Sequence, residues 1–302
     1  MPAYEFVTVD VFTDRRFGGN PLAVFPDAAG LTEQQMQAIA AEFNLSETTF
    51  VLPPENPGNH ARVRIFNRTA EMPFAGHPNV GTGYVLARRM TEVPEHLTFE
   101  EQAGLVRVHP QRGPDQAISG ARISAPHSLQ IGDDVPLEVI AACAGLDPAD
   151  IATAAHTPLF ATVGVWFVLA EVASIEALSR AAPDLAAFRD AATQHDLPGS
   201  RFSLHLYARH DGEATRLRAR MFAPLSGTIE DPATGSANAT LAALLTALAP
   251  GVNVTLDYDI EQGIEMGRPS RLLAAARKTG EGPVTATVAG DCVPVLRGWL
   301  DL

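Results

Sequence analysis

Strands alternate with helices along the first part of the chain. Five segments are rich in Val, Phe and Ile or alternate apolar with polar residues, which is typical of strands with one wet face. They lie at Tyr4–Phe12, Leu22–Phe25, Ala61–Phe66, Leu97–Phe99 and Leu105–His109. A capping box of Thr32 and Gln35 begins a helix that runs to Phe43. The segment NLSETTFVL then turns from this helix into another strand.

The second half repeats this scheme. Strands are predicted at Thr162–Ala170, Phe202–Ala208, Thr215–Phe222, Val252–Tyr258, Leu272–Ala275, Val284–Val288 and Val293–Leu300. Outer helices are predicted at Pro136–Ala144 and Ala182–Ala192. Two further helices, Pro78–Arg88 and Ala237–Ala249, have almost no polar face. A helix without a wet side is a buried helix.

An internal repeat relates the two halves. Glu71, Pro73 and Gly76 in EMPFAG match Glu230, Pro232 and Gly235 in EDPATG at one constant spacing, and RIF and RMF precede them. Each copy runs into one of the buried helices. The repeat predicts two similar β-rich halves. Each turn could be an ordinary Gly/Pro turn, but the duplication favours a pair of anion-binding helix N-termini facing each other across a cleft.

Composition excludes several classes of function. The chain has 302 residues, enough for about two domains, and 46% of them are hydrophobic, which excludes general disorder. A net charge of −13 makes nucleic acid and anionic membranes poor partners. Lys278 is the single lysine, which disfavours Schiff-base and pyridoxal chemistry, and Cys143 and Cys292 lie far apart. The nine histidines show no metal-ligand spacing, so we expect neither a metal nor an organic cofactor in a cytoplasmic protein.

Glu47 is the first candidate for chemistry. It stands between Ser46 and a strand of apolar and hydroxyl residues, where partial burial would raise its pKa towards the range useful for proton transfer. An equally weighted alternative is that Ser46 or Glu47 caps a local turn and points into water. His77 follows the first turn glycine and Ser236 the second. The second turn contains an acid, Asp231, where the first has a methionine.

Four motifs in order, NLSETTFVL, EMPFAGHPNVGT, EDPATGSAN and QGIEMGRPS, resemble the PhzF-like family, the family of the phenazine-biosynthesis isomerase. The resemblance covers most of the chain, from FGGNP to GRPS. It implies an α+β fold related to diaminopimelate epimerase, with two pseudo-symmetric domains, each a mostly antiparallel sheet wrapped around a central helix. The expected domains are residues 1–120, completed by a strand at about 290–302, and residues 121–289. The family also implies a homodimer.

The resemblance further implies cofactor-free acid/base isomerisation in the cleft between the domains. By motif position, Glu47 corresponds to the family's acid/base, and His77 and Asp231 are the other catalytic candidates. The substrate-binding candidates are Ser46, Gly76, Gly235, Ser236 and Asn20. The distant epimerases use two facing thiols where this chain has Ala75 and Thr234.

The sequence therefore predicts an isomerase that moves a proton between carbons of a small carboxylate. Two alternatives remain open. One is a two-base racemase or epimerase, which would need a second acid such as Asp231. The other is a carboxylate-binding protein without turnover, and an intact Glu47 argues against it.

Overall fold

The computed structural model describes residues 2–195 and 201–302, and the fold is α+β with sheet dominating, as predicted. The chain divides into two compact units. Unit 1 contains the residues up to Ser124 together with Ala289–Leu302, and unit 2 contains Ala125–Val288. The boundary predicted near Gly120 lies instead inside a strand, four residues before this division.

Among its described residues, unit 1 contains eight complete strands, two helices and the larger part of the last strand of the chain. The strands are β1 (Ala3–Val11), β2 (Asn20–Phe25), β3 (Glu47–Leu52), β4 (Ala61–Phe66), β5 (Glu71–Met72), β6 (Leu97–Glu101), β7 (Gly104–Arg112) and β8 (Ile118–Ser124). The helices are α1 (Glu33–Phe43) and α2 (Gly76–Ala87). The predicted capping box of α1 is present, with the Thr32 hydroxyl accepting from the Gln35 N–H.

Unit 2 begins with β9 (Gln130–Asp134), α3 (Leu137–Ala144), β10 (Ile151–Ala152), β11 (Leu159–Thr162), β12 (Trp166–Val172), α4 (Ile175–Arg180) and α5 (Leu185–Gln194). It continues with β13 (Leu204–Arg209), β14 (Arg216–Ala223), β15 (Thr228–Asp231), α6 (Gly235–Leu248), β16 (Asn253–Gln262) and β17 (Ser270–Thr279). The last strand, β18 (Thr285–Asp301), starts in unit 2 and ends in unit 1.

The sheet of unit 1 closes on itself around α2. Pairing runs from β1 through β2, β3, β4, β6, β7, β8 and β18 back to β1. The β2–β3 and β4–β6 pairs are parallel, which requires the long connections that contain α1 and α2. Eleven of the twelve α2 residues are buried. This explains why the α2 sequence lacks a polar face.

Unit 2 repeats these pairings. β12 lies parallel to β13, β13 antiparallel to β14, β14 parallel to β16, and β16 antiparallel to β17. The apolar helix α6 packs against β16 and β17. The short strand after the Arg-x-Phe segment pairs identically in both units, because Phe66 lies opposite Glu71 and Phe222 lies opposite Glu230.

An ion pair accompanies each copy of the repeat. Arg64 Nε donates to Glu71 at 2.6 Å, and Arg220 Nε donates to Glu230 at 2.8 Å. Each guanidinium also lies over the ring of the phenylalanine two residues later. The distance from the guanidinium carbon to the ring centroid is 5.1 Å for Arg64 and 4.8 Å for Arg220. The sequence repeat is therefore a repeat of structure.

Several predicted elements need correction. The predicted strand Thr162–Ala170 is two strands, because the Thr162 hydroxyl accepts from the Gly164 N–H and turns the chain back into β12. The two strands predicted at the end of the chain are the single 17-residue strand β18. β8, β9 and α4 were not predicted, since their sequences are short or polar and resemble linker.

Candidate active site

Glu47 is the first residue of β3, where it lies opposite Leu22 of the parallel strand β2. Its side chain is 15% exposed, so the carboxylate is largely withdrawn from solvent. The alternative in which Glu47 points into water does not describe this structure. The next two residues of β3, Thr48 and Thr49, are fully buried.

His77 lies in the first turn of α2 and faces Glu47. Its Nε2 is 3.4 Å from Glu47 Oε2, and its Nδ1 is 3.3 Å from the side-chain nitrogen of Asn20. An amide nitrogen can only donate, so Nδ1 accepts and the imidazole proton resides on Nε2. Burial lowers the pKa of His77 from 6.5 to about 3. The ring is therefore neutral at neutral pH and presents an N–H towards the carboxylate.

Asn20 links the remaining polar groups of this site. It is the fully buried first residue of β2, and its side-chain oxygen accepts from the Ser46 hydroxyl at 3.4 Å. In this orientation the amide nitrogen points to His77. Gly19, with φ +62°, delivers the chain into β2, and a Cβ there would lie 2.3 Å from the Val11 carbonyl oxygen. Only glycine fits that approach.

Gly76 begins α2 directly after Ala75, the N-cap residue. An alanine has no side-chain oxygen with which to cap a helix, so the first N–H groups of α2 receive no side-chain cap from this position. Unit 1 therefore brings together Glu47, His77, Asn20 and Ser46 beside the start of a buried helix.

The candidates of unit 2 form a second polar group around the start of α6. Asp231 ends β15 and is 7% exposed, and the hydroxyl of Thr234, the N-cap residue of α6, donates to its carboxylate at 2.6 Å. Gly235 is buried, and Ser236 is half-buried in the first helical turn. An acid, the hydroxyl of the N-cap residue and a serine thus lie at one helix N-terminus.

Gln262, the last residue of β16, was not singled out by the sequence. Its side-chain oxygen accepts from the Thr234 N–H at 3.2 Å and from the Asn238 side chain at 2.7 Å. Its nitrogen donates to the Asp231 carbonyl at 2.8 Å. The sequence did carry one signal in this region, because Asn79 in HPN and Asn238 in SAN occupy equivalent places in the two copies of the repeat. In the structure, each of these side chains donates to the carbonyl of its N-cap residue.

The prediction that no metal or organic cofactor is needed stays a prediction. Within residues 2–195 and 201–302, no three His, Cys, Asp or Glu side chains are arranged to hold a metal ion. Lys278 donates to the carbonyls of Ala247 and Ala249 at the end of α6. Among the described helices, none has the length and apolar character needed to cross a membrane.

Comparison with known proteins identifies the family to which this chain belongs. The model of the PhzC-PhzF family, described as phenazine biosynthesis-like protein, matches residues 9–298. The chain belongs to this family, and it is an isomerase.

Three relatives illustrate the similarity. An uncharacterized isomerase of Mesorhizobium japonicum is 38% identical, with 99% of each chain covered. Trans-2,3-dihydro-3-hydroxyanthranilate isomerase of Pseudomonas chlororaphis is 35% identical over 99% of this chain and 100% of its own. The crystal structure of a PhzF-family phenazine biosynthesis protein of Bacillus anthracis superposes with a TM-score of 0.89 at 26% identity, with full coverage of both chains.

Proposed function

We propose that the protein moves a proton between two carbons of a small carboxylate-bearing substrate, with Glu47 as the group that takes and returns the proton. The contact of Glu47 with the neutral His77 carries this proposal. A carboxylate held in a largely buried site beside a fixed N–H donor is suited to general acid/base catalysis. Proton transfer by Glu47 requires no cofactor.

The proton balance of the reaction is simple. Glu47, as a carboxylate, accepts a proton from a carbon activated by conjugation or by the substrate carboxylate, and the electron pair is delocalised over the substrate. Glu47, now a carboxylic acid, returns that proton to a different carbon and becomes a carboxylate again. The Nε2–H of His77 faces the Glu47 carboxylate at 3.4 Å, a distance that would have to shorten for a hydrogen bond to form as the carboxylate exchanges its proton.

The substrate class is proposed from both chemistry and similarity. Helix N-termini such as those of α2 and α6 favour negative charge, which suits a carboxylate. The relative from Pseudomonas chlororaphis is named for trans-2,3-dihydro-3-hydroxyanthranilate, a ring carboxylate. We propose compounds of this kind as substrates, and Gly76, Gly235, Ser236 and Asp231 as residues that bind substrate. The family's pseudo-symmetric two-domain arrangement and homodimer belong to the same proposal.

The test is an isotope experiment in deuterium oxide. The protein is incubated with trans-2,3-dihydro-3-hydroxyanthranilate and with a panel of unsaturated and hydroxy carboxylates, and deuterium is located by NMR. We expect isomerised product that carries solvent deuterium at the newly protonated carbon in those turnovers in which the protonated Glu47 exchanges with solvent, and no deuterium at the carbons that do not react. Glu47→Gln should abolish this, whereas Glu92→Gln, at an exposed position, should not.

Other outcomes identify the alternatives. Deuterium at a stereocentre with inversion and no double-bond shift would indicate a racemase or epimerase with a second acid, for which Asp231 is the buried candidate of unit 2. Tight binding of a carboxylate without any exchange, in wild type as in Glu47→Gln, would indicate a binding protein and contradict the proposal.

A further inference from the structure

Glu101, the last residue of β6, occupies the place in unit 1 that Gln262 occupies in unit 2. In the parallel pair β4–β6, Arg62 lies opposite Glu100, and in β14–β16, Arg218 lies opposite Glu261. The two arginines are equivalent, since each precedes by two residues the arginine of the repeated ion pair. The next residue along β6 or β16 is therefore Glu101 in one unit and Gln262 in the other.

The Gln262 amide joins three parts of unit 2. Its oxygen accepts from the N-cap N–H and from Asn238, and its nitrogen donates to the carbonyl of Asp231. One group thus supplies both an acceptor and a donor, and it fixes the turn before α6 to the helix itself. The corresponding groups of unit 1 are the Ala75 N–H, the Asn79 side chain and the Met72 carbonyl.

An ionised Glu101 cannot supply the donor half of this role. Both of its carboxyl oxygens are buried, and among the described residues neither has a partner in hydrogen-bond geometry. The side-chain oxygen of Asn79 is also buried without a donor in hydrogen-bond geometry, while the Asn79 nitrogen donates to the Ala75 carbonyl. Three buried acceptors therefore lack a donor in good hydrogen-bond geometry, and the Asn79 amide beside Glu101 only partly compensates, which is costly. A proton on Glu101 supplies the missing donor.

The electrostatic surroundings favour that proton. Burial raises the pKa of Glu101 to about 8, and the nearby Asn79 amide lowers it by less. The charged groups on the adjoining strands are engaged elsewhere: Arg62 with Glu55, Arg64 with Glu71 and Glu33, and Glu100 with Asn59 and backbone N–H groups. His77, on the adjoining helix, is neutral.

We propose that Glu101 is a positioning residue, a neutral carboxylic acid that holds the first turn of α2, and thereby His77, as the Gln262 amide holds the first turn of α6. The contribution of Glu101 to catalysis rests on the function proposed above. The protonation of Glu101 and its effect on His77 are independent of that function, so both can be tested without turnover.

The experiment compares Glu101→Gln, Glu101→Leu and the adjacent control Glu100→Gln with wild type. Carbon-13 labelling of the glutamate carboxyl groups locates the resonance that disappears in Glu101→Gln but persists in Glu100→Gln. We expect this carboxyl to be protonated at neutral pH and to titrate above it. Nitrogen-15 spectra of the His77 ring should be unchanged in Glu101→Gln and shifted in Glu101→Leu.

Kinetics with trans-2,3-dihydro-3-hydroxyanthranilate provide the second readout. Glu101→Gln should keep kcat within about threefold of wild type, whereas Glu101→Leu should lower kcat by about tenfold or more with a smaller change in KM. The proposal would be overturned if the Glu101 carboxyl is ionised at neutral pH, or if Glu101→Gln perturbs His77. Both results can be obtained even if Glu101→Leu does not fold. If wild type does not turn over this compound, the proposed function is in question, while the spectra still decide the role of Glu101.

Discussion

The side-chain nitrogen of Asn20 lies 3.3 Å from Nδ1 of His77, and this contact fixes which nitrogen of the imidazole carries the proton. Since Nδ1 accepts, Nε2 bears the hydrogen and points towards the carboxylate of Glu47, 3.4 Å away. The Asn20 side-chain oxygen accepts from the Ser46 hydroxyl. Ser46, Asn20, His77 and Glu47 thus follow one another in a continuous series of polar side chains that ends at the carboxylate.

Glu47→Gln tests the acid/base role directly. The amide preserves size and packing but cannot accept a proton from carbon. We expect kcat to fall by at least ~10²-fold, the lower end for loss of a general base, with little change in substrate affinity. Steady-state kinetics and isothermal titration measure the two quantities. Rates close to wild type would show that another group transfers the proton.

Asn20→Asp tests the tautomer of His77. A carboxylate can only accept, so Nδ1 would acquire the hydrogen and Nε2 would turn a lone pair towards Glu47. We expect the nitrogen-15 shifts of the two ring nitrogens to exchange character, and turnover to fall by about tenfold or more. Asn20→Ser serves as the control that removes the amide donor without adding charge. Unchanged nitrogen shifts in Asn20→Asp would refute the assignment.

Acid should destabilise the protein through His77. Burial lowers the pKa of this ring from 6.5 to about 3, so between these values the unfolded chain binds a proton that the folded chain does not. The free energy of unfolding therefore falls as pH drops from 6.5 towards 3. Relative to a His77→Gln variant, wild type should lose on the order of 4 kcal/mol across this window. Urea unfolding of both proteins across the window measures this difference.

The two ion pairs of the repeat should differ in their contribution to stability. Arg220 is 7% exposed and also donates to the carbonyls of Leu178 and Ala181, whereas Arg64 is 15% exposed and its second partner, Glu33, is exposed. Removing one partner of a buried pair leaves an unpaired charge and unpaired carbonyls. We expect Arg220→Met to cost about 3 kcal/mol and Arg64→Met roughly half of that, by thermal or urea unfolding. Equal costs would contradict this ranking.

The repeat made much of the fold predictable from sequence. The constant spacing of Glu71 and Glu230, each before a buried apolar helix, reports a shared turn whose glutamate pairs with the preceding arginine. The helices α2 and α6 were found because total burial removes their polar faces. β8 and β9 were missed because their Gly, Ser and Asp residues follow neither the strand period nor an apolar run.

The two candidate acids lie where the repeat is broken. Glu47 and Asp231 have no acidic counterparts in the other unit, since the position equivalent to Glu47 by strand register is Ser203 and that of Asp231 is Met72. Sequence comparison of the halves cannot say what such an asymmetric residue touches. The roles of Asn20 and Gln262 depend on contacts between distant strands and helices, which no local pattern reports.

Thr234→Val tests whether the support of Asp231 matters to the reaction. The Thr234 hydroxyl donates to the Asp231 carboxylate at 2.6 Å, and valine has the same shape without the donor. The Thr234 hydroxyl also accepts from the Gln262 side chain at 3.1 Å. The substitution therefore removes one hydrogen bond from each of two buried groups, the Asp231 carboxylate and the Gln262 amide. We expect a cost of about 1–3 kcal/mol in unfolding free energy and a fall in turnover of about tenfold. Thr234→Ser, which keeps the hydroxyl, should restore turnover. If Thr234→Val loses stability but keeps the wild-type kcat, the hydrogen bond from Thr234 to Asp231 contributes to the structure of the α6 N-terminus and not to the reaction.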